Sequence, residues 1–214
     1  MSDSPRIVLW RHGQTDWNIQ NRFQGHSDIP LNKVGEYQAA HAAKILAAMT
    51  PRKIIASDLM RAKQTASKLS ELLNLPVAID PDLRETNGGN WEGKTGEQNR
   101  EEDHERFTGW LSGADVRAGE IGESRTEVAT RVVRAIESAM KNESGTVVFV
   151  THGGAARCAL GKLLGIAYPE WAALGGLSNA CWSVLERDRN DRWTLAEHNA
   201  GSIPEPVFGN ETGA

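Results

Sequence analysis

Thiols are scarce in this chain: Cys158 and Cys181 are its only two cysteines in 214 residues. They have neither CxxC nor zinc-like spacing, and a chain of this length builds a large core without disulfide staples, so both are expected as buried free thiols. Positive charge is scarce too. With 24 Lys and Arg against 28 Asp and Glu the net charge is -4, which excludes the electrostatic footprint of a nucleic-acid binder and leaves any anionic ligand to a local basic cluster. No apolar run reaches the length of a membrane span, so no membrane partner is expected. The opening Met1-Ser2-Asp3-Ser4-Pro5 lacks the charged-then-apolar pattern of a signal peptide. The expected location is the cytoplasm, where the sequons at Asn142 and Asn210 have no meaning. None of the six histidines sits in a metal motif such as HExxH, so no metal is expected. Repeats, low-complexity stretches and breaks in composition are absent. Residues 1–214 are therefore expected as a single domain, with a core over about 6–198 and a weakly ordered tail over 199–214.

What is present begins with Ile7-Val8-Leu9-Trp10, a buried strand by its pattern, which breaks abruptly into Arg11-His12-Gly13. The carboxyl end of a strand is where open α/β folds keep their ligands. A histidine nucleophile attacking a phosphoryl dianion needs the oxygens neutralised while the bond forms, and a bidentate guanidinium does that better than an ammonium. Gly13 lets the backbone turn close to the anion, and Thr15 and Asn18 add neutral hydrogen-bonding groups. On this stretch alone, a structural arginine beside a satisfied core histidine fits equally well.

The rest of the chain alternates strand and helix. Residues 18–30, with Arg22, Gln24, Gly25 and His26, form a polar loop placed over the pocket. A helix capped by Asn32 follows, with Ala39, Ala42 and Leu46 on its apolar stripe. Residues 54–56 are a second strand, and Ser57 or Asp58 caps the next helix, whose stripe is Ala62, Ala66, Leu69 and Leu73. Arg61 in its first turn gains nothing from the helix dipole, so either an anion compensates it or it is an exposed surface residue. Beyond a third strand at 77–79, Glu85 lies where a general acid could reach the pocket, or where Arg84 and Glu85 make a salt-bridged turn. Residues 96–111 read as a charged helical excursion with a solvated face, and 114–122 as loop. Ser124 and Glu127 have capping-box spacing ahead of the stripe Val128, Val132 and Ile136. Residues 146–150 are the clearest buried strand and end in Thr151-His152-Gly153, a second strand-His-Gly junction at an anion-binding position. Core filling does not account for two such junctions. Late strands at 180–186 and 193–197 form a hairpin turned by Asn190-Asp191.

Taken in order, Arg11-His12-Gly13 with Thr15 and Asn18, Ser57-Asp58-Leu59 with Arg61 and Thr65, Leu83-Arg84-Glu85 with Trp91-Glu92-Gly93, Gly122-Glu123-Ser124, and Thr151-His152-Gly153 resemble the histidine phosphatase superfamily in its phosphoglycerate mutase-like branch. The resemblance implies a three-layer α/β/α fold with a mostly parallel central sheet and chemistry through a phosphohistidine, without a cofactor. His12 is then the nucleophile, while Arg11, Arg61 and His152 hold the phosphoryl oxygens. Asn18 is a further phosphate-pocket position, and Glu85 protonates the leaving oxygen before activating water. Gln24, Gly25 and Gly153 complete the implied substrate and phosphate contacts.

Mutases of this branch carry a long basic insertion between the Glu loop and the Gly-Glu-Ser motif. Here only residues 94–122 intervene, and they are acidic overall, which favours hydrolysis over transfer to a second substrate hydroxyl. Gln24-Gly25 and residues 173–182 resemble actinobacterial members acting on glucosyl-3-phosphoglycerate, although Asn87 stands where that group carries a histidine. The expected activity is metal-independent hydrolysis of small sugar or glycerate phosphates. Phosphoglycerate mutase activity and a non-catalytic phospholigand-binding module are the alternatives. Oligomeric state is open, a homodimer included.

Overall fold

In the computed structural model, residues 4–201 are described. Of the tail expected over 199–214, Asn199 and Ala200 belong instead to the last strand, and residues 202–214 lie outside the described residues, as do Met1–Asp3 and the sequon at Asn210. Strand β1 (Arg6–Arg11) leads through a one-turn helix α1 (Asp16–Ile19) to α2 (Lys33–Ala47), β2 (Lys53–Ala56), α3 (Met60–Leu73) and β3 (Val77–Ile79). Helices α4 (Gly96–Glu102) and α5 (His104–Leu111) precede α6 (Arg125–Met140), β4 (Thr146–Thr151) and α7 (Gly153–Leu163), and strands β5 (Trp182–Arg187) and β6 (Trp193–Ala200) end the sheet.

The strands form one six-stranded sheet in the order β3-β2-β4-β1-β5-β6. The first four are mutually parallel, and the β5–β6 hairpin adds antiparallel strands at the β1 edge. Period-two alternation divides the buried strands between two cores. Ile7, Leu9, Val147 and Phe149 pack with Val128, Val132, Ile136 and Ala159 of α6 and α7. Val8, Trp10, Val148 and Val150 pack with Ala39, Leu46, Ala66 and Leu69 of α2 and α3. The result is the expected three-layer α/β/α architecture. Each of these buried strand side chains stabilises it by about 1.5–3 kcal/mol.

The chain leaves β1 toward α2 on one face and leaves β4 toward α7 on the other. Because β1 and β4 are neighbours, with Arg11 paired to Thr151, their carboxyl ends open a crevice where the winding reverses. His12 and His152 are the next residue of each strand. Gly13 is required here: a Cβ on it would lie 2.3 Å from the carbonyl oxygen of Gly35 in the first turn of α2.

Several local expectations need correction. Neither Ser57 nor Asp58 caps α3. The cap position is Leu59, which makes no side-chain cap bond, and Asp28 from the distant polar loop accepts the Met60 N–H instead. Asp58 is taken by a two-pronged pair with Arg84, and so Arg84 does not pair with Glu85. The 96–111 excursion is not merely solvated, since Phe107 and Trp110 are buried with Trp91 and Ala118 in a third, small core. Strand β5 begins at Trp182 rather than 180, because Ala180 takes a left-handed turn (φ 56°). Both cysteines are free and buried as expected. Among the described residues no helix is long and apolar enough to cross a membrane.

Candidate functional site

The two strand-His-Gly junctions meet at the crevice. The His12 backbone N–H donates to the Thr151 carbonyl at 3.0 Å, and the His12 and His152 ring centroids stand 5.2 Å apart. His12 Nδ1 lies 2.7 Å from the Gly13 carbonyl oxygen. A carbonyl only accepts, so Nδ1 carries the proton and Nε2 keeps its lone pair. At His152 the arrangement is reversed: Arg61 Nε donates to Nδ1 at 3.2 Å, which leaves the proton on Nε2. That Nε2 is buried and has no hydrogen-bond partner within the protein.

Both imidazoles are held neutral. Burial, then the guanidiniums of Arg61 and Arg11, push His12 well below its ordinary value, and burial, Arg61 and His12 do the same to His152. One ring therefore offers a lone pair and the other an N–H donor, on neighbouring buried rings.

Arg61 is wholly buried, not the exposed residue its position in the helix allowed. Its Nη1 and Nη2 donate to the carbonyls of Ser27 and Gly25, each at 2.8 Å, and its Nε goes to His152. Gly25 thus enters the site through its carbonyl, which a left-handed φ of 50° accompanies. Arg11 is also buried, with Nη1 donating to the Leu177 carbonyl at 2.6 Å. Asn18 Oδ1 accepts from the Thr15 N–H at 2.9 Å and from Asn179 Nδ2 at 3.2 Å. Gln24 Oε1 accepts from the Thr15 hydroxyl at 3.1 Å, while its buried Nε2 makes no hydrogen bond. Gly153 is buried as the first residue of α7, one position beyond His152.

Glu85 arrives from the other side. Its carboxylate accepts the Gly154 N–H through Oε2 and the Ala155 and Thr86 N–H groups through Oε1, at 2.8 to 2.9 Å. It therefore sits on the amino end of the helix that His152 begins. A Cβ on Gly154 would come within 2.6 Å of Glu85 Oε1, so glycine is what admits the carboxylate.

Three contributors were given no role from sequence, although Thr65 and Glu92 stand among the motifs that carry the resemblance. Asn179 Nδ2 donates to the His12 carbonyl at 3.2 Å, a lone Asn in a loop with no periodicity to mark it. Thr65 Oγ1 accepts the Gly13 N–H at 3.0 Å; its spacing of one helical turn from Arg61 was the available signal. Glu92 collects the N–H groups of His26, Ser27 and Gly88, binding the loop that holds Arg61 to the loop that carries Glu85. Among the described residues no three His, Cys, Asp or Glu side chains gather as metal ligands.

A model of the histidine phosphatase superfamily (branch 1) matches residues 7–201. The chain belongs to that superfamily. Among similar members, the glucosyl-3-phosphoglycerate phosphatase of Mycobacterium tuberculosis is 36% identical, over 92% of this chain and 95% of its own. A probable phosphoglycerate mutase of Yersinia enterocolitica is also 36% identical, but over 75% of each chain. A mycobacterial glucosyl-3-phosphoglycerate phosphatase solved in complex with VO3 superposes with a TM-score of 0.86 and 38% identity, covering 92% of this chain and 99% of that one. Superfamily membership thus extends over the sheet and both histidine junctions.

Proposed function

We propose that the protein is a metal-independent phosphomonoesterase acting on small sugar or glycerate phosphates, glucosyl-3-phosphoglycerate among them, through a phosphohistidine at His12. The observation that carries this reading is the opposed tautomers of the two buried imidazoles, a lone pair on His12 Nε2 and an N–H on His152 Nε2. A pure binding site for a phosphate would profit from two donors, whereas a lone pair facing the anion suits attack on phosphorus.

In the first half-reaction His12 Nε2 forms a bond to phosphorus as the ester P–O bond breaks, and Glu85 gives its proton to the departing oxygen. Arg11, Arg61 and the His152 N–H balance the charge on the three equatorial oxygens. Asn18, Gln24 and the amino end of α7 at Gly153 complete the pocket. In the second half-reaction Glu85 takes a proton from water as its oxygen attacks the phosphohistidine, which releases inorganic phosphate and restores the His12 lone pair. The mycobacterial relative's complex with VO3, a phosphate-like oxyanion, supports this reading, as does coverage of the M. tuberculosis phosphatase over nearly its whole length. We read the chain as one domain over 1–214, cytoplasmic, with a homodimer open to it.

The test is a panel of phosphorylated metabolites with divalent metals chelated, following phosphate release and isomerisation together. Glucosyl-3-phosphoglycerate should release phosphate, and His12→Ala should abolish turnover. Rapid conversion of 3-phosphoglycerate to 2-phosphoglycerate with a trace of 2,3-bisphosphoglycerate, and no free phosphate, would replace hydrolysis with mutase activity.

A further inference from the structure

Arg131 lies on α6, between apolar positions of its stripe, with its side chain only 13% exposed. A guanidinium has five N–H groups, and all five are engaged here. Nη1 donates to the carbonyls of Asp82 and Arg84, each at 2.7 Å, and Nη2 to the carbonyl of Glu85 at 2.7 Å. Nε and the second Nη2 proton form a two-pronged pair with Glu123 at 2.7 and 2.8 Å. Glu123 in turn accepts the Asn87 N–H at 2.8 Å. The Arg131–Glu123 pair thus grips the backbone on both sides of Glu85 and at Glu85 itself.

This pair touches none of the groups placed around the phosphoryl oxygens. It fixes where the Glu85 side chain starts, while Gly154 and Ala155 fix where it ends. A planar fork serves three carbonyls of one bend, which a point charge cannot do. Proton transfer demands that a carboxyl stand within hydrogen-bond reach of the departing oxygen, and a displacement of about 1 Å costs on the order of 100-fold.

We infer that Arg131, held by Glu123, is the positioning residue for Glu85 in both proton transfers. This rests on Glu85 being the acid and base. The test exploits leaving groups. An alkyl alcohol needs the proton from Glu85 to depart, whereas 4-nitrophenolate is stable as the anion and does not. Single turnovers with enzyme in excess, following alcohol or nitrophenol release and phosphate release separately, resolve phosphorylation of His12 from its hydrolysis.

Arg131→Lys keeps a cation opposite Glu123 but loses the fork. It should phosphorylate from 4-nitrophenyl phosphate within about threefold of wild type, yet lose roughly 100-fold with 3-phosphoglycerate and in phosphate release. Equal losses on both esters, or none, would overturn the assignment and make Arg131 a plain structural residue. If Arg131→Lys does not fold, Glu123→Gln, which loosens the grip without removing the guanidinium, should shift the ratio of the two rates in the same direction; an unchanged ratio has the same negative meaning. Glu85→Gln is the reference. If it fails to discriminate between the esters, the role of Glu85 itself falls and the assignment with it; if it discriminates and Arg131→Lys does not, only the Arg131 assignment falls.

Discussion

His12 and His152 are both buried imidazoles, each 2% exposed or less, beside two guanidiniums. In the unfolded chain they take up protons near 6.5, and in the folded protein only at lower pH. The unfolded state therefore binds more protons in that window. Their contribution leaves stability untouched above about 6.5 and removes it as pH falls toward the folded values. Melting temperature should drop steeply on acidification from about pH 7 to pH 5 in the wild type, and less steeply in His152→Gln; parallel curves would contradict the electrostatic origin. The rate should likewise retain neutral His12 to below 6.5 on the acid side in the free enzyme. The candidacy of both residues was legible because each follows an uninterrupted apolar run and precedes glycine. Asn179 was not, since its two hydrogen bonds to His12 and Asn18 span 167 and 161 residues of sequence and leave no local pattern.

At the level of elements, the amino end of α7 and Glu85 are matched pieces. Gly154 is helical, so Gly154→Ala should favour the helix by up to about 1 kcal/mol, yet its methyl group would displace the Glu85 carboxylate. The expected outcome is turnover reduced by about 10- to 100-fold with no loss of melting temperature, measured by phosphate release beside a thermal scan; a fall in both together would point to misfolding instead. Strands β1 and β4 were readable because both faces are buried and their apolar runs are continuous. The start of α3 was misread because its cap comes from Asp28, 32 residues upstream, while the nearer Asp58 is drawn off by Arg84. Arg131 escaped notice for a related reason. A single cation among apolar residues of an amphipathic helix looks like its solvated edge until the carbonyls it meets are placed in space.

For the whole molecule, the sequence pattern implied α/β layers, but not that β4 inserts between β1 and β2. That strand order depends on contacts far apart in the chain, which no local periodicity records; the family resemblance anticipated only a mostly parallel sheet between two helical layers. The charged stretch around α4 and α5 concealed a separate core in the same way: Trp91 meets Phe107 and Trp110 edge-on, with ring centroids 5.1 and 5.6 Å apart. Trp91 immediately precedes Glu92, which joins the two loops of the site. Trp110→Ala should cost about 3–5 kcal/mol in denaturant unfolding and should lower turnover as well. Full activity in a destabilised variant would show that the small core and the loops are mechanically independent.

The opposed tautomers carry a consequence for thermodynamics. Burial first, and the fixed cations second, keep the two histidines of the empty site neutral, and a doubly charged oxyanion lying among them raises their affinity for protons. Ligand entry is then coupled to proton uptake, and the heat released on titrating in phosphate should vary with the ionisation enthalpy of the buffer. Inhibition by the phosphate product should tighten in mildly acidic solution and relax in alkaline solution.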